Sequence, residues 1–204
     1  MAVTAIVPVK ALTDAKSRLA DQLSGDERRA LVTWMLGRVL DACLSADPID
    51  RVIVVAGDRE AAAVAARAGV EVLIEPVPGL PAALRAADQA AAGAGATLIV
   101  PADLPLATAG DLETACRARA GVVVVPTWDG GTGALLRRPP SVVATAFGPG
   151  SAAAHLRLAA AAGVRALRLD LPNLALDVDT PRDLRLIPGG AQRLALGTTS
   201  RCAP

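Results

Sequence analysis

Short runs of β-branched and aliphatic residues alternate with longer Ala-rich stretches along most of the chain. Ala5 to Val9, Arg51 to Ala56, Val70 to Ile74, Thr97 to Ala102 and Val122 to Val125 are apolar at nearly every position, the pattern of strands covered on both faces. The segments between them begin on residues that start helices. Ser24 and Glu27 offer a capping box for a helix to about Leu44, Asp58 caps an Ala-rich helix ended by Gly69, and Thr108 with Asp111 opens another; a further helix spans about Pro81 to Ala92. Strand and helix in alternation predict an α/β fold, a three-layer sandwich around a mostly parallel, Rossmann-like sheet.

After Pro126 the rhythm changes. The Gly-rich loop Asp129-Gly130-Gly131-Thr132-Gly133 leads into Ala134 to Arg137, a short run that fits an antiparallel or an edge strand. Phe147-Gly148-Pro149-Gly150 precedes a helix from Ser151 to about Ala162, Ala166 to Leu169 reads as a strand, and Asp177-Val178-Asp179-Thr180-Pro181 opens a last short helix. These elements make one domain over residues 1–187. Residues 188–204 lack periodicity and read as a flexible tail without chemistry.

About half of the 204 residues are apolar, and the aromatic set is only Trp34, Trp128 and Phe147, so the core must be aliphatic. A net charge of +1, with both signs well mixed, argues against a nucleic-acid track and makes any anion site local, so the partners should be small molecules. Cys43, Cys116 and Cys202 show no metal spacing and fit reduced thiols. Nothing resembles a targeting segment or an apolar run long enough to span a bilayer, so the expected location is the cytoplasm. The helix carrying Trp34 offers a face for a homodimer.

The chemistry gathers where strands end. Asp103 closes the run Thr97 to Ala102, at the carboxyl end of a strand, where open α/β sheets place their sites. An Asp there either starts the turn before Pro105 or faces a cation. After the first strand, Lys10, Lys16 and Arg18 put three cations in nine residues, which suits phosphate oxygens or a solvated basic loop. Asp177 and Asp179 stand ahead of Pro181, where an Asp suits a helix cap.

Taken in order, Ile6-Val7-Pro8-Val9-Lys10, Ala15-Lys16-Ser17-Arg18-Leu19, Ala102-Asp103-Leu104-Pro105, Phe147-Gly148-Pro149-Gly150-Ser151 with His155, and Leu176-Asp177-Val178-Asp179-Thr180-Pro181 with Asp183 carry a likeness. Over roughly residues 3–187 the chain resembles the phospho-lactate and phosphoenolpyruvate guanylyltransferases of coenzyme F-420 biosynthesis, within the wider class of sugar-phosphate and molybdopterin nucleotidyltransferases. The resemblance implies GMP transfer from GTP to the phosphate of a three-carbon phospho-acid, with release of pyrophosphate. It implies Mg²⁺ held by Asp103 and Asp179, with Asp177 joining or supporting them and Glu75, at the end of the third strand, as a weaker candidate. It assigns Lys10, Lys16 and Arg18 to the triphosphate, and Thr132, Gly148 and Ser151 to the acceptor. A transferase that consumes a labile product would follow.

Two segments depart from the pattern: the compact Asp129-Gly130-Gly131-Thr132-Gly133 loop replaces a longer Gly-Thr-Gly-Thr loop, and Pro81 stands where an Asn is usual. Another acceptor such as 3-phosphoglycerate, another nucleotide, or a non-catalytic GTP-binding protein of the same fold are the alternatives. The acceptor phosphate is already ionised, so no base is needed. The only histidine, His155, is accordingly read as a partly exposed helical residue, acting if at all as a donor to the acceptor anion.

Overall fold

The computed structural model describes residues 2–188 apart from Pro76 and Pro78. The tail expected beyond the domain falls almost wholly outside the described residues. The strands are β1 Val3–Val9, β2 Ile49–Ala56, β3 Glu71–Ile74, β4 Ala96–Ile99, β5 Val122–Pro126, β6 Thr132–Arg137 and β7 Ala166–Arg168. The helices are α1 Gly25–Ser45, α2 Arg59–Arg67, α3 Leu80–Ala90, α4 Ala109–Arg117, α5 Ser151–Ala161 and α6 Pro181–Leu186. All seven strands share one sheet in the order β3-β2-β1-β4-β6-β5-β7. β6 runs antiparallel to both of its neighbours, and the other pairings are parallel.

Each inner strand divides its side chains between two apolar clusters. Val3, Ala5 and Val7 of β1, Val52 and Val54 of β2, and Val123 and Val125 of β5 join the cluster that also holds the buried faces of α1, α2 and α4. Ile6, Ile53, Val55, Val122 and Val124 face the opposite way and pack with α3 and α5. That alternation, with both faces dry, is what a three-layer α/β/α sandwich requires. Of the two positions open for Ala134 to Arg137, the antiparallel one is correct and the edge one is not: β6 lies inside the sheet between β4 and β5. Leu135 and Leu136 are buried on opposite faces, which an interior strand needs.

The topology decides where a ligand can sit. Chain order reverses between β1 and β4, so a crevice opens outside their carboxyl ends. β4 pairs with β1 only as far as Ile6, whereas β1 continues to Val9. Pro8, which has no N–H to donate, lies in this extension and is tolerated there. Because β6 is antiparallel, its first residue, Thr132, lies at the same end as the carboxyl ends of β4 and β5.

Arg137, at the far end of β6, is fully buried. Its guanidinium forks onto the Asp88 carboxylate of α3 and donates to Thr97 Oγ1 at 3.2 Å, tying helix, β4 and β6 together. A guanidinium can occupy that depth because a carboxylate and a hydroxyl partner its two terminal nitrogens. Trp34, expected as a dimer face, is half-buried and packs against the main core. Cys43 and Cys116 are buried free thiols, and burial pushes them up to about 12 and about 11, so both are inert filler. Among the described residues no helix is long and apolar enough to cross a membrane.

Candidate active site

The crevice is walled by three segments that meet through one ammonium group. Lys16 Nζ donates to Asp103 Oδ2 at 2.7 Å and to Asp179 Oδ1 at 2.8 Å. Its side chain is only 11% exposed, so the two carboxylates are what allow a charge there. Burial alone would lower the Lys16 pKa, but the charges and hydrogen bonds of Asp103 and Asp179 outweigh it and the net shift is upward. Asp179 answers in the opposite direction: burial would raise its pKa, and Lys16, with Lys10 and Arg18, pulls it below the ordinary value. Arg18 Nη1 lies 3.6 Å from Asp179 Oδ2, and both Arg18 and Lys10 remain exposed.

The backbone holds this arrangement. Lys16 sits at φ 51°, in the left-handed region that side chains other than Asn and Asp seldom enter. Leu12 N–H donates to Asp58 Oδ2 at 2.8 Å while Asp58 Oδ1 caps α2 through Ala61 N–H at 2.7 Å, so one carboxylate anchors the cationic loop to the neighbouring strand end. Gly57 lies directly against that loop: a Cβ there would approach Ala11 N to 2.4 Å and the Lys10 carbonyl carbon to 2.9 Å. Gly57→Ala should therefore push the loop off its seat and lower the kcat/KM of a reaction seated in the crevice about 100-fold, since displacements near 1 Å carry such effects. Steady-state kinetics, with circular dichroism to verify the fold, tests it.

Opposite the loop, Val178 N–H donates to the Asp103 carbonyl at 3.2 Å, which sets the segment carrying Asp179 beside the turn carrying Asp103. Asp103 lies in that turn, four residues beyond the end of β4. The cap of α6 is Thr180, whose capping box with Asp183 closes at 2.7 Å, so the Asp179 side chain is not consumed as a cap. Asp177 is half-buried and pushed up to about 7, first by burial and then by the charges of Asp103 and Asp129. Glu75 Oε2 accepts from Gly79 N–H at 3.2 Å, at the start of α3.

Two carboxylate oxygens already converge on one cation, and hard oxygen donors suit Mg²⁺. Among the described residues no three acidic, His or Cys side chains form a group that could hold a metal. A two-carboxylate site fits Mg²⁺ in particular, because that ion keeps waters and takes the rest of its ligands from substrate phosphates.

The second half of the site is a buried polar cluster. Thr132 Oγ1 lies 2.8 Å from Ser151 Oγ and 3.1 Å from His155 Nδ1, and all three residues are buried. Gly148 and Gly150, at φ 136° and 68°, turn the chain into α5. The helix start is less open than its sequence suggests: Ser151 N–H donates to the Gly148 carbonyl at 3.1 Å, and Ala152 N–H to the Gly130 carbonyl at 3.3 Å. Hydroxyl groups, more than free amides, are what this cradle offers. The Asp129 to Gly133 loop is held by Asp129 Oδ1, which accepts from Gly131 N–H at 2.8 Å and Thr127 Oγ1 at 2.5 Å. Gly133 is obligatory, since a Cβ would stand 1.9 Å from the Leu174 carbonyl oxygen.

His155 corrects the expectation of a partly exposed helical residue. It is fully buried, packed edge-on against Phe147 at 5.1 Å, and burial followed by the Arg137 charge pushes it down to about 4. An imidazole freed by unfolding takes up its proton near the ordinary value, so His155 leaves stability whole above about pH 6.5 and removes it as the pH falls towards about 4. His155 should remove about 1.4 kcal/mol of unfolding free energy per pH unit across that window, while Asp177, raised to about 7, contributes with the opposite sign. Urea titrations of the chain and of His155→Gln test this: the difference between the two unfolding free energies should change with that slope between about pH 6.5 and pH 4, and a constant difference would contradict it.

Residues 3–192 match the family described as Guanylyl transferase CofC like. The chain belongs to that family. It is 42% identical over 196 residues to a phosphoenolpyruvate guanylyltransferase of Sphaerobacter thermophilus, covering 94% of this chain and 95% of that one. It is 39% identical over 188 residues, 88% and 86% of the two chains, to a 3-phospho-D-glycerate guanylyltransferase of Phenylobacterium zucineum. A solved nucleotidyl transferase from Methanothermobacter thermautotroptrophicus superposes with a TM-score of 0.62 at 22% identity, over 95% of this chain and 98% of that one, a likeness of fold. The chain is thus a nucleotidyltransferase of the guanylyl type.

Proposed function

We propose that this enzyme transfers GMP from GTP to the phosphate of phosphoenolpyruvate, releasing pyrophosphate, as a cytoplasmic step of coenzyme F-420 biosynthesis. The observation that carries the reading is the convergence of Asp103 and Asp179 on a single cation at the crevice between β1 and β4. Asp103 and Asp179 would hold Mg²⁺, with Asp177 supporting them; bound there, the ion would neutralise charge on the triphosphate.

Lys16 has three N–H donors, of which two reach Asp103 and Asp179 in this structure; a metal held by those carboxylates would release them, and the ammonium would turn to a phosphate oxygen. Lys10 and Arg18, exposed on the same loop, add charge for the departing pyrophosphate. An ionised phosphate oxygen of the acceptor attacks the α-phosphorus; the bond to the β-phosphate oxygen breaks and pyrophosphate leaves with that electron pair. No protein base is required, which fits a histidine sealed from solvent. Thr132, Gly148 and Ser151 would seat the acceptor, through two hydroxyls and a glycine at φ 136° that leaves room for an anion.

Phosphoenolpyruvate is preferred over 3-phosphoglycerate because the relative named for it is the more similar, at 42% against 39%. The anhydride product is labile, so a transferase that consumes it would be the protein partner. The test is a panel of the four nucleoside triphosphates against phosphoenolpyruvate, 2-phospho-L-lactate and 3-phosphoglycerate with Mg²⁺, followed by pyrophosphate release. GTP with phosphoenolpyruvate should be turned over fastest. Release with another pair would change the substrate, and release with none above an Asp103→Ala control would remove the reading.

A further inference from the structure

The Thr132–Ser151–His155 cluster contains a directional hydrogen-bond sequence that one backbone amide fixes. Ala146 N–H donates to His155 Nε2 at 2.9 Å, and a backbone amide can only donate, so Nε2 carries no proton. The proton of the neutral ring is therefore on Nδ1, which faces Thr132 Oγ1 at 3.1 Å and donates to it. Thr132 and Ser151 then share one contact of 2.8 Å. If Thr132 donates to Ser151, the Ser151 hydrogen is left over; if Ser151 donates to Thr132, the Thr132 hydrogen is. Either way, among the described residues, the pair has one hydroxyl hydrogen to spare. With the proton on Nε2 instead, Nδ1 would accept from Thr132, Thr132 from Ser151, and no hydrogen would remain.

We propose that His155 is a positioning residue for the acceptor: by keeping its proton on Nδ1 it makes the Thr132–Ser151 hydroxyl pair a net donor to the acceptor anion. The partial closure of the α5 start adds to its importance, because Ser151 N–H and Ala152 N–H are already taken by the Gly148 and Gly130 carbonyls. Burial and the Arg137 charge keep the ring neutral, which preserves this polarity at working pH. The ring touches Thr132 from β6 and, from the preceding loop, Phe147 and the Ala146 amide, and the charge acting on it is that of Arg137 in β6, so among these groups no carboxylate competes for its proton.

The proposal rests on reading Thr132 and Ser151 as the acceptor cradle, and its test separates the two. The chain has a single histidine, so nitrogen-15 labelling of histidine gives one imidazole to follow in the full-length protein. The expected spectrum is that of the Nδ1–H tautomer from about pH 5 to pH 8, with both ring resonances moving when phosphoenolpyruvate is added. The Nε2–H tautomer, or titration near the ordinary histidine value, overturns it. In steady-state assays His155→Gln, which can still accept from Ala146, should raise KM for phosphoenolpyruvate about tenfold and leave KM for GTP unchanged. His155→Asn, whose shorter amide can donate to Thr132, should recover most of that loss. Equal effects on both KM values, or no recovery, assign a merely structural role and overturn the proposal. If neither variant folds, the wild-type spectrum decides. If the wild-type chain transfers GMP to no phospho-acid, the functional reading falls separately, and the tautomer with its response to phosphoenolpyruvate still decides the role of His155.

Discussion

Asp103→Asn is expected to lower GMP transfer by about 10³-fold, the scale seen when a preorganised charge at a reaction centre is removed. The side chain keeps its shape and loses its charge, so packing in the turn after β4 is preserved. What changes is the meeting point: Lys16 keeps only Asp179 as a charged partner, and the proposed cation site falls to a single carboxylate. Val178 N–H still donates to the residue 103 carbonyl, so Asp179 stays in place and the loss reports charge more than geometry. Pyrophosphate release at saturating GTP and phosphoenolpyruvate measures it, and the unfolding transition should remain cooperative.

Lys16→Met is expected to move two observables in opposite directions. GMP transfer should fall by about 10²- to 10³-fold, because the departing pyrophosphate loses a buried cation. Binding of Mn²⁺ without nucleotide should tighten by at least about tenfold, because a unit charge at ~4 Å is worth roughly 4 kcal/mol at an effective dielectric constant of 20 before other losses. In the wild-type chain the ammonium occupies the point where the two carboxylates meet, so a metal arriving alone competes with it. Melting of the variant should be lower, since Asp103 and Asp179 repel each other unscreened, and should recover when Mn²⁺ is added. Titration calorimetry and thermal melts read both effects; Mn²⁺ binding that weakens in Lys16→Met would mean the lysine helps to hold the metal.

The fold was legible where apolar runs were long. Val3 to Val7 and Val52 to Ala56 are buried on both faces of the sheet, and only an interior parallel strand explains runs of that kind. The cap residues Ser24, Asp58 and Thr108 marked helix starts correctly because each uses a local hydrogen bond that the sequence displays directly. β6 was harder: six residues can lie at an edge or in the middle, and only tertiary pairing places them between β4 and β5.

The candidate site shows the same division. Asp103, Asp179 and Lys16 each stood out by position after a strand or beside a turn, yet their union through one ammonium spans 163 residues of sequence and has no local signature. Gly57 could not be distinguished from any other glycine after a strand, because its importance lies in the approach of Ala11 from another segment. Asp58 announced its capping role but not its bond to Leu12. A lone histidine one turn into a helix reads as exposed; its burial follows from Phe147 and β6 closing over it. Arg137 was invisible as a core residue, since burial of a guanidinium depends on a carboxylate 49 positions away.

Attack by a phospho-acid on the α-phosphorus of GTP, in the crevice that Asp103, Lys16 and Asp179 define, is tested most directly by phosphorus-31 NMR of GTP with phosphoenolpyruvate, Mg²⁺ and the enzyme. The predicted spectrum gains pyrophosphate together with the two coupled resonances of a new unsymmetrical diphosphate, and with Asp103→Asn it gains neither over the same time. Appearance of inorganic phosphate and GDP in their place, or equal product from Asp103→Asn, would contradict the account.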